Sequence, residues 1–138
     1  MDETDTRSPV RIEVDDFRHH VSVSVGPTAV EGDIFAAIDR NRLTVPLDYS
    51  VTWDLRQVPT ELLTLDVRRL LARARPPGLP SRRGPVALVV RGDLVRRWAA
   101  TYEMLATEHG HRVRVCDSMD EALEWIADYT RERTRQII

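Results

Sequence analysis

Gly84-Pro85-Val86-Ala87-Leu88-Val89-Val90 is the stretch that decides the fold. Its last five residues form a continuous apolar run, the mark of a central, well-covered strand. Directly after it, Asp93 is placed to cap a helix, and Leu94, Val95, Trp98, Tyr102, Leu105 and Ala106 recur at helical spacing. Gly110 is suited to stop that helix. Val113 and Val115 then alternate with Arg112, Arg114 and Cys116, which reads as another strand. Ser118-Met119-Asp120-Glu121 is a capping box, followed by a helix with Ala122, Leu123, Ile126 and Tyr129 on one face.

Upstream, Arg75-Pro76-Pro77-Gly78-Leu79-Pro80 ends a helix that starts at about Leu62 or Leu65. Before it, Tyr49, Val51, Trp53 and Leu55 alternate with Ser50, Thr52 and Asp54 as a strand. Val30 to Asn41 reads as a helix with Ile34, Phe35 and Ile38 on one face. The chain opens with two alternating segments, Val10-Ile12-Val14 and Val21-Val23-Val25. They are joined by the turn Asp15-Asp16-Phe17-Arg18 and so expected to pair as an antiparallel hairpin.

The predicted order is β-β-α-β-α-β-α-β-α, an α/β domain with a five-stranded mixed sheet. The first hairpin is antiparallel and the rest parallel through right-handed crossovers. Four of the five strands alternate apolar with polar, so helices are expected mainly on one face. Arg11, Glu13, Ser22, Ser24, Ser50, Thr52 and Arg114 are expected to line a wet opposite face. Residues 1–9 are expected to be a flexible tail, 10–130 one domain, and 131–138 a helical extension or tail. No internal repeat or long low-complexity stretch interrupts the pattern.

At 138 residues the chain has the length of one domain. A charged fraction of 30% beside 42% hydrophobic residues is a globular composition. All 20 basic residues are arginine, and the formal net charge is −2, which excludes a uniformly basic nucleic-acid binder. That near-neutrality is a cancellation. Residues 1–66 hold six arginines against 13 acids, residues 67–97 nine against one, and residues 98–138 five against eight. The basic middle third can dock an anionic partner, since arginine makes forked contacts with carboxylate or phosphate. Alternatively it answers the acidic flanks within the fold or across a dimer.

Catalytic and metal signatures are missing. The chain has no Gly-rich phosphate loop, no G-x-S-x-G and no H-E-x-x-H. A single cysteine, Cys116, excludes a disulfide framework and reads as a packed thiol. His19-His20 and His109 with His111 lack ligand spacing and read as surface or turn residues, so no metal and no cofactor is expected. The acidic, polar start MDETDTRSPV lacks the features of a secretory signal, and no apolar run approaches a membrane span, so a cytoplasmic location is expected.

The element order, the Val51-Thr52-Trp53-Asp54-Leu55-Arg56 strand end, the Gly84–Val90 stretch and the closing Asp120-Glu121-Ala122-Leu123-Glu124-Trp125-Ile126 together resemble the SpoIIAA-like, or STAS-like, small domains. The resemblance spans about Val10 to Tyr129 and implies a regulatory or protein-interaction domain without enzymatic activity. Founding members of that family are anti-sigma-factor antagonists switched by phosphorylation of a serine at a helix start. Here Pro59-Thr60-Glu61-Leu62-Leu63-Thr64 stands there instead, leaving Thr60 and Thr64 as candidate phosphate acceptors or plain helix caps.

The expected docking residues are Arg68, Arg69, Arg73, Arg82 and Arg83, on the second helix and the loop after it. The expected partner is a protein or a second copy of the chain; an anionic small ligand is a further candidate, specific nucleic acid is not. A small-molecule or lipid carrier, suggested by a likeness to the CRAL-TRIO fold, and an enzyme of unknown reaction are the alternatives. The carrier needs an apolar cavity of about 300 Å³ or more.

Overall fold

The computed structural model describes residues 9–74 and 83–137, the last three by backbone alone. The strands are β1 (Val10–Asp15), β2 (His20–Val25), β3 (Ser50–Asp54), β4 (Val86–Val89) and β5 (Val113–Cys116). The helices are α1 (Glu31–Thr44), α2 (Val67–Ala74), α3 (Asp93–Glu108) and α4 (Met119–Ile137), with a 3-10 turn at Thr60–Thr64 before α2. The sheet runs β1-β2-β3-β4-β5 in chain order. Its first pair is antiparallel and the other three are parallel.

Chain order dictates the layering. When strands add in sequence and every crossover is right-handed, all crossover helices fall on the same face. Accordingly α1, the 3-10 turn, α2 and α3 share one core with Leu55, Leu88 and Val90 from the sheet. α4 follows the last strand and crosses back over the opposite face. There Ala122 and Ile126 pack on Ala87, Val89 and Cys116, with Trp125 partly buried beside them. β4 is therefore covered on both sides, as its unbroken apolar run requires.

This second layer corrects the expected wet face. Arg11, Glu13, Ser24 and Arg114 are exposed, and Ser22 is half-buried. Ser50 and Thr52 are buried, at 7% and 1% exposure. α4 lies against β3, β4 and β5 and leaves the face open over β1 and β2.

The helix ends follow local chemistry. Asp33 Oδ2 accepts the Val30 N–H at 2.9 Å to open α1. The Asp66 carboxylate accepts the Arg68 N–H at 2.9 Å and caps α2. The second predicted helix is thus split, because the 3-10 turn ends at Thr64 and α2 starts only after Asp66. Asp93 is the first residue of α3, not its cap; Gly92 holds the cap position at φ +92°, which a side chain disfavours. At the far end of α3, Gly110 adopts φ +79°. Its N–H bonds the Thr107 carbonyl while the His111 N–H bonds that of Ala106, a Schellman closure. Glu121 donates its N–H to Ser118 Oγ (3.1 Å) and accepts from the Asp117 N–H (2.9 Å), setting α4 in place. Residues 1–8, most of the predicted N-terminal tail, lie outside the described residues, and α4 carries the chain helically to Ile137.

Candidate anion-binding crevice

α1 and α2 lie side by side, and their charges are matched. Arg73 holds Asp39 through two hydrogen bonds, Nε to Oδ1 at 2.8 Å and a second from its terminal nitrogen to Oδ2 at 2.6 Å. Arg69 approaches Glu31 at 3.9 Å. Both guanidinium groups stand over the Phe35 ring between those pairs, at 5.5 and 5.2 Å from its centre. The Arg73 guanidinium holds the Asp39 carboxyl below its usual range. Two of the five predicted docking arginines therefore already answer acids of the N-terminal third. Arg68 is exposed. Arg83 donates to the Ala74 carbonyl, and Arg82 lies outside the described residues. Thr60 and Thr64 are both exposed at the ends of the 3-10 turn. Neither caps it: Pro59 precedes the turn, and Thr64 Oγ1 donates to the Glu61 carbonyl at 2.9 Å.

A different arginine set converges at the carboxyl ends of β2, β3 and β4. A crevice of about 660 Å³ opens there, lined by Ser24, Thr28, Asp54, Arg11, Arg56 and Arg91 among others. Open α/β sheets place their ligands outside the carboxyl ends of the strands, because the chain leaves the sheet there in loops that can diverge. Arg11 enters from the start of β1, which runs antiparallel and so begins where β2 ends. Arg91 follows the end of β4.

Among the described residues Asp54 is the one acid lining the crevice, and it is committed. Its Oδ1 accepts from Arg56 Nε at 2.9 Å and from the Arg56 N–H at 3.1 Å, and its Oδ2 from a terminal nitrogen at 2.8 Å. These bonds, helped by Arg91, hold the Asp54 carboxyl below its usual range against the opposing effect of burial. Arg56 is thereby oriented and neutralised. Arg11 and Arg91 are exposed and form no ion pair with any described residue. Among the described residues, the crevice carries two guanidinium groups outside any ion pair around a fixed Asp–Arg fork. That arrangement suits a phosphate or carboxylate.

Sequence reasoning missed this site because Arg11, Arg56 and Arg91 are far apart in the chain. A signal was present: Arg56 and Arg91 each follow the carboxyl end of a predicted parallel strand.

Other polar groups are placed structurally. His20 and His111 are not surface residues: His20 is half-buried and His111 is 5% exposed. The His20 ring bridges Ser50 Oγ at 2.7 Å and Thr52 Oγ1 at 3.2 Å, which satisfies both hydroxyls under α4. Burial lowers the His20 pKa from 6.5, with Arg18 adding to the shift and Asp15 opposing it. A folded value below the unfolded one means stability that is complete above pH 6.5 and falls as the pH drops toward the folded value. His20→Asn is expected to flatten the part of a denaturation-versus-pH curve just below pH 6.5; an unchanged slope would contradict this.

Cys116 is 1% exposed, and burial pushes its thiol up to about 11, so it is a packed group rather than a nucleophile at neutral pH. Among the described residues, no three His, Cys, Asp or Glu side chains gather as metal ligands. Among the described residues, likewise, no helix is long and apolar enough to cross a membrane.

Compared with family models, with curated proteins and with solved structures, the chain matches none.

Proposed function

We propose that this chain is a non-enzymatic binding module that docks an anionic group of a partner protein, in the manner expected of a STAS-like regulatory domain. The observation that supports it is the crevice at the strand ends, where Arg11 and Arg91 form no ion pair with any described residue around the clamped Asp54–Arg56 fork. Docking is assigned to this crevice rather than to α2, because Arg69 and Arg73 are engaged by Glu31 and Asp39. The ligand chemistry is a phosphate or carboxylate held by two forked donors.

Inorganic phosphate is a sufficient first probe. Arg91→Glu replaces a positive charge of the crevice by a negative one beside Asp54 without touching the core, since Arg91 is exposed. Its phosphate affinity, read by calorimetry at low salt, is expected to fall at least about tenfold, the range of one lost charge-assisted contact. Wild-type affinity should itself fall as salt is raised. Equal affinity in the two proteins would overturn the assignment.

A second reading, a carrier of a small apolar ligand, is favoured by one feature. Between the sheet and helices α1, α2 and α3 lies an apolar cavity of about 120 Å³, bordered by Val51, Trp53, Leu88, Trp98, Tyr102 and His111 among others. Burial pushes the Tyr102 phenol up to about 12, so it offers a neutral donor there. That volume is well under the roughly 300 Å³ of ordinary ligand pockets and closer to a cavity that takes benzene or xenon. Native mass spectrometry of protein from its source cells tests this reading, which a bound small molecule would support and bare chain would contradict.

A further inference from the structure

The cavity between the sheet and the helices is not apolar throughout. Asn41 and Arg42 both line it, as successive residues near the end of α1. Asn41 Oδ1 and Arg42 Nε are each buried, and neither meets a hydrogen-bond partner among the described residues. Closing the helix does not use them. The Val45 N–H bonds the Asn41 carbonyl at 3.1 Å, and Thr44 Oγ1 donates to the Arg40 carbonyl at 2.6 Å. Buried polar atoms are nearly always bonded, because stripping water from a donor or acceptor without replacing its bond is costly. Two such atoms on the wall of one cavity are half of an interaction whose other half a ligand can supply.

The unmet atoms define that ligand's polar group. An amide oxygen accepts and a guanidinium Nε–H donates, so the group that answers both gives one hydrogen bond and takes one, as a hydroxyl does. A carboxylate can only accept, and would set its negative charge against the Asn41 oxygen. The charge of Arg42 is already answered, with a terminal nitrogen 3.7 Å from Asp39. A neutral head therefore suits the site. The other walls set the body of the ligand. Ile38 lies one turn back on α1, and Leu70, Leu88 and Trp98 border the space from α2, β4 and α3. About 120 Å³ is room for one aromatic ring and not for a long acyl chain.

We propose that this cavity is a binding site for a small, neutral, hydroxylated ring of the size of phenol, its hydroxyl donating to Asn41 Oδ1 and accepting from Arg42 Nε. The proposal rests on the carrier reading, which it narrows to one ligand class. It is independent of the anion crevice, which neither Asn41 nor Arg42 lines.

Phenol and benzene are paired probes for this site. A wholly apolar cavity takes benzene and rejects phenol, whose hydroxyl would lose its bonds to water for nothing. Titrated calorimetrically into the wild type, phenol is expected to bind saturably and at least as tightly as benzene. Benzoate is expected to bind less tightly than phenol. Asn41→Leu removes the acceptor and is expected to lower phenol affinity at least about tenfold while benzene affinity stays within about threefold. Retained benzene binding shows that the variant is folded with its cavity intact. Arg42→Met, which keeps an apolar stem and removes the donor, is expected to act in the same way. Benzene bound without phenol, a phenol affinity indifferent to Asn41→Leu, or benzoate preferred to phenol would each overturn the proposal and leave a carrier of apolar rings standing. Binding of neither ring would overturn both.

Discussion

Gly84→Ala is expected to cost at least about 3 kcal/mol of stability, the upper range for forcing an atom into a filled interior. A Cβ at Gly84 would lie 2.1 Å from the Tyr49 carbonyl oxygen, 2.5 Å from its carbon and 2.7 Å from the Asp48 oxygen. All three are main-chain atoms, so no side chain can swing aside. The surrounding strands are also tied: the Gly84 N–H bonds the Leu47 carbonyl, and the Val51 N–H bonds that of Pro85. Relief would require β3 and β4 to separate at their starts. Urea denaturation measures the loss directly, and a change under about 1 kcal/mol would show that the close approach of the two chains is misplaced.

Leu88→Ala is the second large effect. Leu88 is 5% exposed in the middle of β4 and faces the core shared with α1, α2 and α3. Removing a buried leucine costs about 2–5 kcal/mol, and the upper part of that range applies where the site cannot collapse. Leu88 already borders the 120 Å³ cavity, so its truncation enlarges a void instead of inviting repacking. Benzene or xenon should recover part of the lost stability by filling that space. A loss under about 1 kcal/mol, or no response to either molecule, would contradict the packing described.

The architecture was legible because period-two and helical spacings are local properties of the chain. The strand Val86–Val89 and the helix carrying Trp98 and Tyr102 follow directly from them. Chain-ordered strands with right-handed crossovers then place three helices on one face without further information. The partial burial of the other face was not legible. Ser50 and Thr52 alternate with apolar residues and read as wet, but His20, 30 and 32 positions away, satisfies both hydroxyls and lets α4 cover them. A polar residue in a strand is exposed only when nothing remote supplies its hydrogen bond.

Charge behaved similarly. Counting arginines located the basic segment but not its use, since Arg69 and Arg73 are answered by Glu31 and Asp39 from α1. Arg11 and Arg91, which no described residue pairs, are brought together by sheet topology from opposite halves of the chain. Net charge per segment is blind to that.

The central claim is the location of the anion site, and backbone amide shifts on titration with inorganic phosphate test it most directly. The account predicts saturable shifts at Ser24–Thr28, Asp54–Gln57 and Arg91–Gly92, needing at least about tenfold more phosphate in Arg91→Glu and reduced by salt. Shifts confined to Arg68, Arg69 and Arg73 on α2, or no saturable shift at all, would contradict it.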